Sequence, residues 1–536
     1  MKLDEKFFRC AIEGIVESGD TDIFPYPFEL YFLRDSIEKI STELATFDIS
    51  QYHPFSLVES LIPKSKFGFR VAHQPYPIDS VIYTALVLVI ADDIENKRDA
   101  AIGNRAFAYR KNSGLDKSFF TENRTYKNWL NSFVGKIFLD GYDFVVETDI
   151  SDFYARIYRH RLENILSTLT SETKIVKKIE AFISDWRSAQ SFGIPVGSNA
   201  SRLLAEASLH DTDMALIAEG IEHTRFVDDF RLFIRKGQDP YAALAFLAQH
   251  LSANEGLSLN SQKTKVLKWS EFVASSSDES SEDDHSKEEF ATEKLFRAAY
   301  GQDEIDEDAL EALMLKDLDQ ELEGMLTQPY WEMGKIRIVL HAMRLVAKPL
   351  IAKYIREHLK VLLPFARDIC LLIEDFMAQG IEGFENMSSE IVDLILQPAA
   401  QPLDCARAWL LELGTRNLVK FNNADIRRLD ALTGTLDLRQ IHLIRWRACD
   451  INYFRSKKTR LHEIQVWAQP SFIFGARCLP KDEYSHWIRS IKSRLNFPVG
   501  KLFAEWCLET YGSDPFYKNP SARSKSLSVE AGEKPF

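Results

Sequence analysis

The stretch that most constrains this chain is Thr224-Arg225-Phe226-Val227-Asp228-Asp229-Phe230-Arg231-Leu232-Phe233-Ile234. Apolar residues run up to a pair of aspartates and resume directly after them, which reads as two short strands with both carboxylates at the turn. Adjacent carboxylates repel and lose solvation, so an Asp-Asp pair at the edge of a core calls for a compensating cation. Magnesium suits it, being a hard ion commonly held by one or two carboxylates plus substrate phosphates. The plainer alternative is an exposed hairpin in which Asp-Asp supplies only turn chemistry.

A second acidic strand lies upstream. Tyr142-Asp143-Phe144-Val145-Val146-Glu147-Thr148-Asp149 is an apolar run ending in acid, followed by a helical pattern over Ala155 to Leu166. Asp149 at that strand's end meets Asp228 on a neighbouring strand if the two pair, which would complete a two-metal site. Between them, Phe192-Gly193-Ile194-Pro195-Val196-Gly197-Ser198-Asn199-Ala200-Ser201 forms a Gly/Pro loop opening an apolar helix over Leu203 to Leu216. Downstream comes Gly256-Leu257-Ser258-Leu259-Asn260-Ser261-Gln262-Lys263-Thr264-Lys265. Upstream are the basic segments Phe67-Gly68-Phe69-Arg70 and Phe107-Ala108-Tyr109-Arg110-Lys111.

In this order and spacing the segments resemble the palm and fingers motifs of reverse transcriptases. The resemblance covers residues 60–270. It implies that Asp149, Asp228 and Asp229 are the catalytic aspartates, and that Asp149, Asp228 and the Ile150 backbone carbonyl hold two magnesium ions, manganese being the substitute. It also implies that Tyr154 gates against a ribose 2′-hydroxyl, that Gly193, Pro195 and Gly197 support template and nucleotide, and that Lys263 sits near the triphosphate. Arg70 and Arg110 would face that triphosphate, since guanidinium suits bidentate phosphate contact. On residue chemistry alone Tyr154 reads equally as a core aromatic, Lys263 as an exposed turn lysine and each arginine as a surface group.

Length and charge bound the rest. At 536 residues and 45% hydrophobic the chain has material for two or more domains. No apolar stretch reaches membrane-spanning length, and Met1 to Cys10 is charged rather than signal-like. The six cysteines lack any Cys-x-x-Cys pairing, which suits a reducing cytoplasm without structural zinc or disulfides. A net charge of −13 argues against a nucleic-acid enzyme until it is divided, because residues 271–310 alone carry −11. Arg445, Arg447, Arg455, Lys457, Lys458 and Arg460 cluster in the basic part of the C-terminal half, either as a phosphate-neutralising patch or as a solvated helix face.

The expected fold is α+β: right-hand polymerase fingers and palm followed by an all-α helical-repeat domain. Residues 1–60 read as a helical segment of the fingers and 61–270 as fingers and palm. An acidic, serine-rich linker or loop spans 271–308, a helical repeat-like domain 309–518 and a flexible tail 519–536. Helical spacing recurs over Gly334 to Ala347, Leu350 to Leu363, Phe365 to Ala378, Ser389 to Leu396, Leu403 to Leu413 and Leu438 to Cys449.

A palm followed by a long helical region, with a Phe-Val-Asp-Asp box, resembles the bacterial abortive-infection and defence-associated reverse transcriptases. That resemblance implies polymerisation of deoxynucleoside triphosphates into DNA in antiphage defence. The DNA is protein-primed, covalently attached and template-independent in some members, and copied from a noncoding RNA in others. It further implies homo-oligomers, trimers or hexamers, acting in the cytoplasm. Tyr26, Tyr52, Tyr511 and Tyr517 are the candidate priming hydroxyls. A different class stays open: a catalytically inert helical scaffold that senses phage proteins.

Overall fold

In the computed structural model, which describes residues 1–21, 23–115, 118–122, 124–132, 141–276, 314 and 316–517, the chain opens with helices α1 (Glu5–Ser18), α2 (Glu29–Asp35) and α3 (Ile37–Thr46). Asp4 caps α1 by accepting from the Lys6 amide. A hairpin, β1 (Val58–Pro63) and β2 (Phe69–Gln74), leads into α4 (Pro77–Ile102), which starts with proline at its first turn, where the missing N–H costs nothing. The apolar run Val81 to Ala91 has no polar face because α4 is packed on several sides, by α1 and by α8 (Thr173–Trp186), α9 (Asn199–Ser208) and α10 (His210–Ala218).

The palm sheet is antiparallel with strand order β4 (Glu222–Phe226), β5 (Asp229–Arg235), β3 (Tyr142–Asp149), β6 (Lys265–Lys268). Its period-2 alternation decides where the acids point. Val146 and Thr148 on β3 pair with Leu232 and Phe230 on β5 and face the helices, where Val146, Leu232 and Phe230 join the main core. Val145, Glu147 and Asp149 pair with Phe233, Arg231 and Asp229 on the opposite face. There Val145, Phe233 and Phe272 form a small second core at one end, with Asp149 at the other.

Two helices expected as single pieces are each broken. The one after Asp149 divides into α6 (Phe153–Arg156) and α7 (Arg159–Leu169), because Tyr158 pairs with Phe192 and the Arg159 amide donates to Ser191 O (3.3 Å). The other divides at Leu209 into α9 and α10.

From residue 316 the described chain is helical. Helix 333–346 packs on 366–378, that on 404–415, that on 435–447, and that on 469–475. The N-terminal segment packs on this region as well as on α4. Trp409 Nε1 donates to Ile23 O (2.8 Å), Trp467 Nε1 to Ser56 O (3.1 Å) and Trp506 Nε1 to an Asp35 carboxylate (3.1 Å). The acidic serine-rich stretch lies outside the described residues from 277 to 308, as does the tail 519–536. Among the described residues no helix is long and apolar enough to cross a membrane.

Candidate active site

The β4–β5 turn carries a conformation that needs support. Val227 has φ 55°, a left-handed backbone that a β-branched residue adopts only at a cost. Arg225 supplies the support: its Nη1 donates to Val227 O (3.1 Å) and to Glu206 (2.7 Å), while Nε and Nη2 reach Asp213 (2.9 and 2.8 Å). Arg98 adds a second guanidinium to Glu206 (2.8 Å), and His223 Nε2 lies 3.2 Å from Asp213. These five side chains are all but fully buried. Burial acts to raise Asp213, but Arg225 and His223 overrule it and hold that carboxyl well below its usual range. Burial prevails at Glu206, whose pKa is raised. Charged groups set this deep are tolerated only in such a network, which fixes the turn from beneath.

On that turn, carboxylate oxygens of Asp149, Asp228 and Asp229 lie within 4.8 Å of one another. Asp149 and Asp229 are register partners on adjacent strands, and the Ile150 amide donates to Asp228 O (3.1 Å), tying the strand end to the turn. Asp149 is buried and Asp228 half-buried. Lys263 Nζ donates to Asp149 Oδ2 (2.8 Å), and Asn260 holds the same residue through its amide to Asp149 O (2.7 Å). Ile150 bridges Leu259, and the bonds of that pair use Asp149 O and Ser151 N, leaving the Ile150 carbonyl outside it. Three hard-oxygen carboxylates this close, with one lysine among them, match the donor set a divalent cation requires.

The Gly/Pro loop sits beside this cluster. Ile194 N donates to Tyr154 O (3.0 Å) and Gly193 N to Ile157 O (2.8 Å), so the loop is strung along the segment that follows Asp149. Gly193 has φ 89°, and a Cβ there would lie 3.2 Å from both Ala155 O and Arg187 Nη2, so glycine is required. Gly197 is also left-handed (φ 113°), Pro195 is buried, and Ser198 caps α9 by accepting from the Ser201 amide. Tyr154 is half-buried with its ring edge-on to Phe153 (5.6 Å).

Other expected residues are placed elsewhere. Arg110 was expected to face a triphosphate, but its guanidinium is taken up by Glu95 and Asp99, one turn apart on α4, and by Gly103 O. Pairing a buried guanidinium with two carboxylates costs less than leaving it uncompensated. Arg70 shares the face of β2 that carries Ala72, whose partner Ser60 accepts from the Cys405 amide (2.8 Å). Its charge acts on the Cys405 thiol, which burial pushes up to about 12. Arg70 thus lies toward helix 404–415.

The C-terminal basic cluster is largely neutralised in place. Arg445 pairs with Asp430 (2.7 Å) and Asp450, Arg447 with Asp514, Arg455 and Lys458 with Glu483 (2.6 Å each), and Arg460 with Glu463 (3.5 Å). Lys457 leans over the Tyr453 ring (4.5 Å). Asp450 and Glu463 are neighbours in sequence, but Asp430, Glu483 and Asp514 come from outside the run, which counting local charge does not reveal.

Residue-level reading missed Arg225, Glu206, Asp213, Arg98, His223 and Asn260. The available signal was charge inside otherwise apolar elements: Arg225 within the run into the turn, and Glu206 within the helix after the Gly/Pro loop.

An antiparallel sheet presents three carboxylates from a central strand and an adjoining hairpin turn, with a lysine from the turn before β6, a donor set suited to metal-assisted phosphoryl transfer. Residues 62–290 match the model of the family described as "Reverse transcriptase (RNA-dependent DNA polymerase)", so the chain carries a reverse transcriptase domain. No curated protein matches the sequence. Among solved structures the chain is similar to apo telomerase from Candida tropicalis, at 15% identity over 64% of this chain and 66% of that one, with a TM-score of 0.32. A form of it truncated of its C-terminal domain aligns at 16% identity over 42% of this chain and 51% of that one (TM-score 0.30). Telomerase from Candida albicans in complex with a TWJ fragment of telomeric RNA aligns at 14% identity, over 68% of this chain and 65% of that one (TM-score 0.30). The chain thus spans about half to two thirds of the length of these structures.

Proposed function

We propose that this chain is an antiphage-defence reverse transcriptase that polymerises deoxynucleotides into DNA, started on a protein hydroxyl and extended without an external template. The observation that carries the polymerase reading is the convergence of Asp149, Asp228 and Asp229 within 4.8 Å on a pinned hairpin, inside the region matching the reverse transcriptase model. Two divalent cations, when bound, would activate the attacking hydroxyl and neutralise the departing pyrophosphate. Asp149 and Asp228 would hold them, with Asp229 and the Ile150 carbonyl completing the donor set. Lys263, which now neutralises Asp149, is then released to balance phosphate charge. Tyr154, whose carbonyl accepts from Ile194 N, would border the sugar as the gate.

The defence assignment is supported by the long helical region after the palm. Among the described residues, the acidic triad is the one group of three or more side chains suited to hold a metal. Three of the candidate priming tyrosines have internal roles. Tyr26 donates to Val16 O (3.0 Å), Tyr511 to Leu479 O (2.8 Å), and Tyr52 to Asp79, with burial and Asp79 raising the Tyr52 phenol far above its usual pKa. The Tyr517 side chain lies outside the described residues. Tyr241 and Tyr330, 76% and 69% exposed, are more accessible hydroxyls.

The test incubates purified protein with magnesium and labelled deoxynucleotides, without template or primer, beside Asp228→Ala. Labelled polymer that shifts on protease treatment and is absent from the variant supports the proposal. Loss of product after ribonuclease pretreatment would favour copying of an associated noncoding RNA. No incorporation even on a supplied primer and template would favour the inert scaffold.

A further inference from the structure

We propose that His73 is a positioning residue which sets the Gly193–Val196 loop through the Val196 amide, and that Glu59, as the acceptor facing Nε2, holds it in the tautomer that does so, against the competing Arg187 donor. This rests on the polymerase reading of the adjoining site. Three loop amides are pinned: Gly193 and Ile194 to the palm segment after Asp149, and Val196 to His73 Nδ1 (3.2 Å) on the fingers strand β2. Of these three links, only the last crosses from palm to fingers.

The chemistry of His73 restricts what it can do. The Val196 amide only donates, so Nδ1 must offer its lone pair, which places the ring proton on Nε2. Nε2 lies 3.5 Å from Glu59 Oε1 and 2.6 Å from Arg187 Nη1. Arg187 is itself a donor only, so it cannot bond a protonated Nε2. Glu59 accepts from Arg187 Nη1 (2.6 Å) and is the acceptor the two donors share. A neutral His73 therefore serves either Val196 or Arg187, never both. The ring is 2% exposed, and burial holds its pKa below the ordinary value against the opposing pull of Glu59. Arg187 touches the loop directly as well, since its Nη2 would lie 3.2 Å from a Cβ on Gly193. Fingers strand, loop and the end of α8 thus meet at one imidazole beside the candidate active site.

Two near-isosteric variants separate positioning from bulk. His73→Asn sets an amide oxygen where Nδ1 sits, His73→Gln sets its amide where Nε2 sits, and His73→Leu removes both functions. Amide hydrogen exchange of the 192–200 peptide is read in metal-free protein, so it decides the bond even if the polymerase reading fails. KM for deoxynucleotide and kcat are read on a supplied primer and template. His73→Leu and His73→Gln should each raise loop exchange and KM by about tenfold, one lost hydrogen bond, with kcat within about threefold, while His73→Asn stays near wild type. Unchanged loop exchange in His73→Leu, or His73→Asn as impaired as His73→Leu, overturns the proposal. Faster exchange with KM unmoved overturns the link to the reaction and leaves a local structural bond.

Discussion

Replacing Asp228 with Asn should make the metal-free protein more stable and catalytically dead. Its carboxylate lies within 4.8 Å of those of Asp149 and Asp229, and Lys263 donates to Asp149. At an effective dielectric of about 20, two unit charges that far apart repel by about 3 kcal/mol. Asp228 is half-buried, so solvent screening reduces the relief from neutralising it to about 1–2 kcal/mol. For a palm of this size that corresponds to a rise of about 2–8 °C in unfolding temperature. The assay is thermal unfolding of wild type and Asp228→Asn, each in chelator and in magnesium. Wild type should be destabilised in chelator and gain on adding magnesium. The variant should start higher, gain little, and incorporate no nucleotide. A variant that unfolds earlier than wild type in chelator would refute the reasoning, because the three carboxylates would then not be held against their mutual repulsion.

Arg225→Met should destabilise the protein by about 3–5 kcal/mol, since Asp213 and Glu206 stay buried without their shared counter-charge, and a drop in unfolding temperature checks it. Asp79 predicts a pH dependence. Burial pushes its pKa up to about 8 from the ordinary 3.8 of an aspartate, so the folded state keeps a proton the unfolded state releases, and stability falls as pH rises between those values and levels off above about 8. Asp79→Asn, which can still accept from the Phe55 amide and donate to Tyr52, should flatten the unfolding-temperature profile between pH 5 and 8. Replacing Arg455 and Lys458 with Ala together should lower the salt slope for a single-stranded oligonucleotide by no more than about one in fluorescence anisotropy, because Glu483 offsets one of the two cations.

The sequence by itself determined the elements that carry the chemistry. Alternating apolar residues ending in acid make β3 and the β4–β5 hairpin, and a Gly/Pro loop before an apolar run makes the turn into α9, because period and turn chemistry are local properties. The helical character of the C-terminal half was legible for the same reason. Which partner each charge finds was decided by tertiary structure alone. Arg110 and Arg70 read as triphosphate ligands from their neighbours in sequence, yet α4 presents two carboxylates to one and helix 404–415 lies against the other. The basic run from Arg445 to Arg460 is offset by Asp430, Asp514 and Glu483, none of them near it by a rule of spacing. Val227 is held in a left-handed turn by Arg225 and, through it, by residues of α9 and α10. Electrostatic pairing and the cost of burying charge act through space, so a chain order that places strands and helices leaves the pairing of their ions to the fold.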